Sequence, residues 1–271
     1  MQRTEGFHGA VFDVDGVLVD SPHEEAWRES LNDLMEGEWS DLRAQSGYSP
    51  DFFTPEVYQR VMSGKPRMSG ALAALQHFGI PQPEQHVARY AERKQERLLE
   101  LIEAGRFHAF PDALRFVLAV KNVGIRIAAA SSSKNAGLFL GRIELAAFAE
   151  KEGLPHDFLT SGATLLDALD ADVSGRDFAH GKPHPMIFLA AVEELGLAPE
   201  SCFVVEDAAN GVEAAKGGHM AALAVARADD VVLLAQAGAD LVVTSLDQVA
   251  VEGLARGRLE QVAVGGRREG G

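Results

Sequence analysis

FDVDGVLVDS, residues 12–21, sets three carboxylates, Asp13, Asp15 and Asp20, among Phe, Val and Leu. Apolar runs of this kind go to the interior, and carboxylates avoid the interior unless something positive meets them there. Extended backwards, the run becomes GAVFDVD (9–15), apolar on both parities. That is the pattern of a strand buried on both faces. Side chains at i and i+2 of a strand share a face, so Asp13 and Asp15 can converge on one substrate. Gly16 then lets the chain turn away tightly.

Four more runs of this type follow: IRIAAAS (125–131), SCFVVED (201–207), AALAVA (221–226) and ADLVVT (239–244). Helical stretches separate them, PDALRFVLAVKNVG, MIFLAAVEELG and NGVEAAKGG. Alternating strands and helices predict an α/β fold built on a doubly wound, Rossmann-like parallel sheet. Residues 22–107 differ. Trp27, Leu31, Leu34 and Met35 fall at helical spacing, as do Val87, Ala91, Leu98 and Ile102, with no clear strand between the two sets. The expected organisation is a core of residues 1–21 and 108–271, interrupted by an all-helical domain at 22–107. Residues 136–180 read as a long excursion before the next helix.

The chain has 271 residues, 46% hydrophobic and 24% charged, which suits a globular protein with a sizeable core. Its formal net charge of −15 argues against nucleic acid as a partner, because phosphate backbones attract basic surfaces. The single cysteine, Cys202, excludes an intramolecular disulfide and reads as a buried strand residue. No run is apolar for the length of a membrane span, and MQRTEGFHG lacks the apolar stretch of a signal peptide. A cytoplasmic protein with no membrane partner is expected, a monomer or weak homodimer, with VGGRREGG as a frayed tail.

In open parallel sheets, sites form at the carboxyl ends of the strands. Three strands here end in polar groups that suit one chemistry. The first ends in Asp13-Val14-Asp15-Gly16, the second in Ser131-Ser132-Ser133-Lys134-Asn135, and the third in Glu206-Asp207. His180-Gly181-Lys182-Pro183-His184-Pro185 comes between the last two. Each alone is weak: acids at strand ends are often solvated, and a serine run is often a turn. All four in order at successive strand ends carry more weight. Clustered carboxylates without His or Cys ligands favour Mg²⁺. A carboxylate attacking a phosphoryl group needs positive charge nearby, which Mg²⁺ and Lys182 can supply, with Ser131 donating a hydrogen bond. Asp13 then reads as nucleophile and Asp15 as acid/base. Gly181-Lys182 is not a P-loop, since Pro183 stands where Ser or Thr is required. The serines lack the G-x-S-x-G frame of a hydrolase elbow.

With these motifs in place, the chain resembles the haloacid dehalogenase superfamily of phosphotransferases. DVDGVLVDS is similar to its first motif, Ser131 to its second, Lys182 in GKPHP to its third, and Glu206-Asp207 in VVEDAANG to its fourth. The resemblance implies a helical cap inserted after the first motif and an aspartyl-phosphate on Asp13. It also implies Mg²⁺ held by Asp13, Asp15 (through its main chain), Asp207 and Glu206. Asp15 matches the acid/base of the phosphotransferase branch, so dehalogenation is not expected. Within the superfamily the likeness is to β-phosphoglucomutases and the sugar phosphatases around them. It rests on SSSKN (131–135), AERKQ (91–95), SGKPR (63–67) and HEEAW after DS. That likeness implies a small phosphorylated sugar as substrate, with Arg67, Ser132, Lys134, Asn135 and His23 on the binding side. Arg67 would hold the non-transferring phosphate.

Overall fold

The computed structural model describes residues 6–63 and 65–262; the VGGRREGG tail lies outside the described residues. The chain divides into two compact units, Met1–Leu18 with Ala109–Gly271, and Val19–His108.

The first unit is built on six parallel strands. In chain order they are β1 (Gly9–Phe12), β2 (Arg126–Ala129), β3 (Ala171–Asp172), β4 (Cys202–Glu206), β5 (Ala221–Val225) and β6 (Leu241–Val243). Their order across the sheet is β3-β2-β1-β4-β5-β6, so the winding direction reverses beside β1. Phe12 is in register with Ala129 of β2 on one side and Val205 of β4 on the other. The doubly wound sheet expected from the alternating pattern is therefore present, with the β1 motif at its topological switch point.

Burial on both faces explains the unbroken apolar runs. Val11, Ala128, Val204 and Ala222 pack in one cluster with residues of the helices Met186–Glu194 and Ala209–Gly217. On the other face Phe116, from the helix Pro111–Asn122, packs edge-on to Phe12 with ring centroids 6.1 Å apart, and 6.3 Å from Phe203. Cys202 is fully buried in β4, as a small apolar strand residue, and burial pushes its thiol up to about 11.

The excursion at 136–180 contains two short helices, Ala136–Leu140 and Leu145–Glu152, and the edge strand β3. A two-residue strand has no periodicity to read, so it was invisible in the sequence. Its ladder to Ala128 and Ala129 nevertheless fixes the loop that follows β2.

The second unit is mainly helical, with His23–Glu36, Arg67–His77 and Pro83–Glu103 as its longer helices and a two-residue strand, Val19–Asp20, at its start. Trp27, Leu31, Leu34, Met35, Val87 and Ala91 share one buried cluster. Trp27 packs edge-on to Tyr90 at 4.9 Å, and the buried Tyr90 hydroxyl donates to the Trp27 carbonyl at 2.9 Å. Among the described residues no helix is long and apolar enough to cross a membrane.

Candidate active site

β1 ends three residues earlier than the sequence pattern suggested. Phe12 is its last strand residue, and the turn proper is Gly16 to Leu18. Asp13 and Asp15 therefore lie between the end of β1 and the turn, and regular strand alternation does not account for their pairing. The turn is possible because Gly16 takes φ +85°. A Cβ there would also lie 1.9 Å from Asp207 Oδ2, so glycine is required twice over.

Sheet register brings the motifs together. The Asp13 N–H donates to the Val205 carbonyl at 3.0 Å, and the Ala130 N–H to the Phe12 carbonyl at 2.9 Å. Asp13, Ser131 and Glu206-Asp207 thus leave three adjacent strands at one level. Lys182 arrives from the loop before the helix Met186–Glu194. Its Nζ lies 2.5 Å from Asp13 Oδ1, donates as well to Glu206 Oε1, and sits 4.7 Å above the Phe188 ring. Ser131 Oγ donates to Asp15 Oδ2 at 3.2 Å and accepts from the Ser133 N–H at 3.0 Å.

Electrostatics follow from burial. Desolvation pushes the Asp13 carboxyl up to about 7; Lys182 works against this, while Glu206 and Asp15 add to it. Asp207 is raised well above the usual carboxylate range, first by burial and then by Glu206 and Asp13. Burial disfavours the charge on Lys182, but Asp13 and Glu206 outweigh it and hold the ammonium above the usual lysine range. One lysine serves several acids, so the cluster is short of positive charge.

Glu206 differs from the other acids. Its Oε1 is taken by Lys182, and its Oε2 accepts from the Asp207 and Ala208 N–H groups at 3.0 and 3.1 Å. Gly211 packs so closely that a Cβ there would meet the carboxylate at 1.9 Å. Both oxygens are occupied by the protein, which makes Glu206 the counter-ion and anchor of Lys182. Among the described residues no three His, Cys, Asp or Glu side chains are already gathered to hold a metal. A donor set that fits Mg²⁺ is the carboxylates of Asp13 and Asp207 with the Asp15 main-chain carbonyl. These are hard oxygen donors, and Mg²⁺ normally takes one or two carboxylates and keeps several waters.

The remaining predicted residues divide. Asn135 is buried at the start of the helix Ala136–Leu140, and its N–H donates to Ser133 Oγ at 3.2 Å, so it shapes the serine loop. Ser132 is exposed on that loop. Lys134 is exposed and ion-pairs with Asp177 at 2.8 Å. In the helical unit, Arg67 Nη1 donates to Gln95 Oε1 at 2.5 Å. His23 Nδ1 is 2.7 Å from Lys94 Nζ.

Two features are not singled out as site residues by the sequence. Lys94 is 4% exposed and lies 5.1 Å from the Trp27 ring centroid; a lysine at a buried helical position was the available signal. Ser174 and Gly175, within the unassigned excursion, brace the second motif. The Ser131 N–H donates to Ser174 Oγ at 3.1 Å, and the Gly175 N–H to the Ser131 carbonyl at 2.9 Å. No local pattern marked them.

Comparison with known proteins shows the family. The family model for haloacid dehalogenase-like hydrolases matches residues 7–219. A β-phosphoglucomutase of Mycobacterium tuberculosis is 30% identical over 261 residues, covering 90% of this chain and 92% of that protein. Hexitol phosphatase A of Escherichia coli is 29% identical over 250 residues, covering 92% and 94%. Among solved structures, an archaeal β-phosphoglucomutase from a hyperthermophilic Pyrococcus superposes with a TM-score of 0.66 at 30% identity, covering 91% of this chain and 96% of that one.

Proposed function

The chain belongs to the haloacid dehalogenase-like hydrolase family, and from that membership we propose that it transfers phosphoryl groups on a small phosphorylated sugar through an aspartyl-phosphate on Asp13. The observation that carries the proposal is the meeting of Asp13, Asp15, Ser131, Lys182 and Asp207 at the ends of three neighbouring strands, with Lys182 bonded to the proposed nucleophile.

The side chains divide the chemistry among them. Asp13 attacks phosphorus, the bond to the leaving oxygen breaks, and Asp15 gives that oxygen a proton. Asp15 then takes the proton of the acceptor hydroxyl as the phosphoryl group leaves Asp13. Lys182 and Ser131 hold the transferring oxygens, and Glu206 keeps Lys182 in place. Asp13, Asp207 and the Asp15 carbonyl would hold Mg²⁺, which supplies positive charge against the developing phosphoryl charge when bound. In the helical unit, Arg67 is assigned to a distal phosphate, whose paired oxygens suit a guanidinium. His23 is assigned to substrate binding together with Lys94. A cytoplasmic setting is in keeping with the single reduced cysteine.

The acceptor distinguishes two readings. A sugar hydroxyl as acceptor makes the enzyme a mutase of the β-phosphoglucomutase kind, as in the mycobacterial relative. Water as acceptor makes it a sugar phosphatase, as in hexitol phosphatase A. Incubation with β-glucose 1-phosphate, Mg²⁺ and a trace of glucose 1,6-bisphosphate separates them: glucose 6-phosphate is the expected product. Free phosphate without glucose 6-phosphate would leave only the phosphatase. A panel of phosphorylated metabolites then identifies the sugar.

A further inference from the structure

We propose that Arg227, beyond the carboxyl end of β5, is a positioning residue for the acid/base Asp15. This rests on the role given to Asp15 above. Arg227 lies two residues past the strand and is only partly exposed, with a side-chain accessibility of 19%. Its Nε donates to the Gly16 carbonyl at 3.2 Å and its Nη2 to the Val17 carbonyl at 3.1 Å. Both acceptors belong to the turn that immediately follows Asp15.

The guanidinium is itself held from two sides. Nη1 donates to both oxygens of Asp112, at 3.1 and 2.9 Å, and the Phe110 ring centroid lies 3.9 Å from Cζ. Asp112 is fixed in turn by the Ser245 hydroxyl at 3.0 Å and the Leu246 N–H at 2.8 Å. The arrangement is a rigid fork that clamps two carbonyls of one turn, which a flexible point charge cannot reproduce.

Two consequences follow for the reacting groups. The peptide that carries the Gly16 carbonyl begins one residue after Asp15, so the clamp limits where the Asp15 carboxyl points. Gly16 also packs directly against Asp207, so the same clamp keeps the turn from drifting into that carboxylate. Displacements of about 1 Å in a reacting group cost rates on the order of 10²-fold. Arg227 touches neither nucleophile nor lysine, so its effect has to pass through the turn.

The test compares kcat/KM for two substrates with Mg²⁺ present. Glucose 6-phosphate has a poor leaving group that needs the proton of Asp15; 4-nitrophenyl phosphate has a good one that does not. Arg227→Met should lose roughly 10²-fold on the sugar phosphate and about 3-fold or less on the aryl ester. Arg227→Lys keeps the charge beside Asp112 and should fall between Met and wild type. In an Asp15→Asn background, adding Arg227→Lys should cost nothing further on either substrate. Equal losses on both substrates would overturn the proposal, as would a full additional loss in the Asp15→Asn background. Unchanged kinetics, or an Arg227→Lys protein that does not fold, would overturn it too. The underlying role is checked separately: Asp15→Asn alone must show the same leaving-group contrast. If it does not, the acid/base assignment fails, and the positioning claim with it.

Discussion

Asp13 and Asp112 are the same residue type in the same unit, and each is 7% exposed. Their carboxyls nevertheless shift in opposite directions. Asp13 is pushed up to about 7, whereas Asp112 is held below its ordinary value. Desolvation acts on both, so the difference lies in their partners. Asp112 collects two bonds from Arg227, one from Ser245 and one from the Leu246 N–H. Asp13 has Lys182, which it shares with Glu206, and Asp15 and Glu206 repel it. One acid is compensated and stabilises the fold. The other is left short of positive charge, which a bound cation would supply.

The strongest way to break this comparison is Asp13→Asn. Turnover should fall by at least about 10³-fold, because the nucleophile and one metal donor are both lost. The metal-free protein should be no less stable at neutral pH than wild type, since like charges are removed. Steady-state kinetics and thermal unfolding in a chelator check both halves. Near-normal turnover would remove Asp13 as nucleophile.

Arg67 extends the comparison to the helical unit, where its guanidinium donates to the neutral amide of Gln95. Arg67→Ala should cost about 2–4 kcal/mol in transfer to and from glucose 1,6-bisphosphate. Hydrolysis of acetyl phosphate, which has no distal phosphate, should barely change. Arg67→Lys should restore part of the loss. Equal damage to both substrates would make Arg67 a structural residue.

Asp112→Asn probes the compensated acid and should lower stability at neutral pH by about 2–3 kcal/mol, since it weakens bonds to a charged partner. The signs with pH are opposite for the two acids. Asp112 has a lowered folded value, so its contribution is present above 3.8 and is lost as pH falls through that lowered value. Asp13 has a raised value, so its contribution is present below 3.8 and is lost as pH rises to about 7. Urea unfolding of metal-free protein should therefore show Asp112→Asn converging on wild type in acid. Asp13→Asn should flatten the decline toward neutrality. Parallel pH profiles for wild type and both variants would show that neither carboxyl behaves as described.

The smallest effect belongs to exposed pairs such as Arg89–Glu38, at 2.9 Å and open to solvent on both sides. A double-mutant cycle should give less than about 1 kcal/mol, and less again in high salt. A larger coupling would mean that surface charge is not dispensable here.

The comparison also explains what could be read from the sequence. The acids of the site announce themselves because they interrupt apolar strands, and the topology puts strand ends together. Asp13, Ser131 and Glu206-Asp207 could be found that way, and Lys182 by its place in order between the second and third of these motifs. What could not be read is how each acid is compensated. Glu206 and Asp207 are neighbours in one motif, yet one binds Lys182 and two main-chain N–H groups while the other packs against Gly16. Asp112 and Arg227 are 115 residues apart and sit in ordinary-looking segments. Ser174 reaches Ser131 only because a two-residue strand pairs at the sheet edge. Such contacts depend on tertiary placement, and no local period encodes them.

The central claim is that Asp13 carries the phosphoryl group, and a covalent trap tests it most directly. The protein is incubated with Mg²⁺ and acetyl phosphate, quenched in acid, digested and analysed by mass spectrometry. The account predicts one phosphoryl group on the peptide containing Asp13, absent in Asp13→Asn. It also predicts that the label disappears on chase with a sugar acceptor or water. A phosphoryl group on another residue, or turnover by the wild type with no phosphoenzyme under any quench, would contradict it.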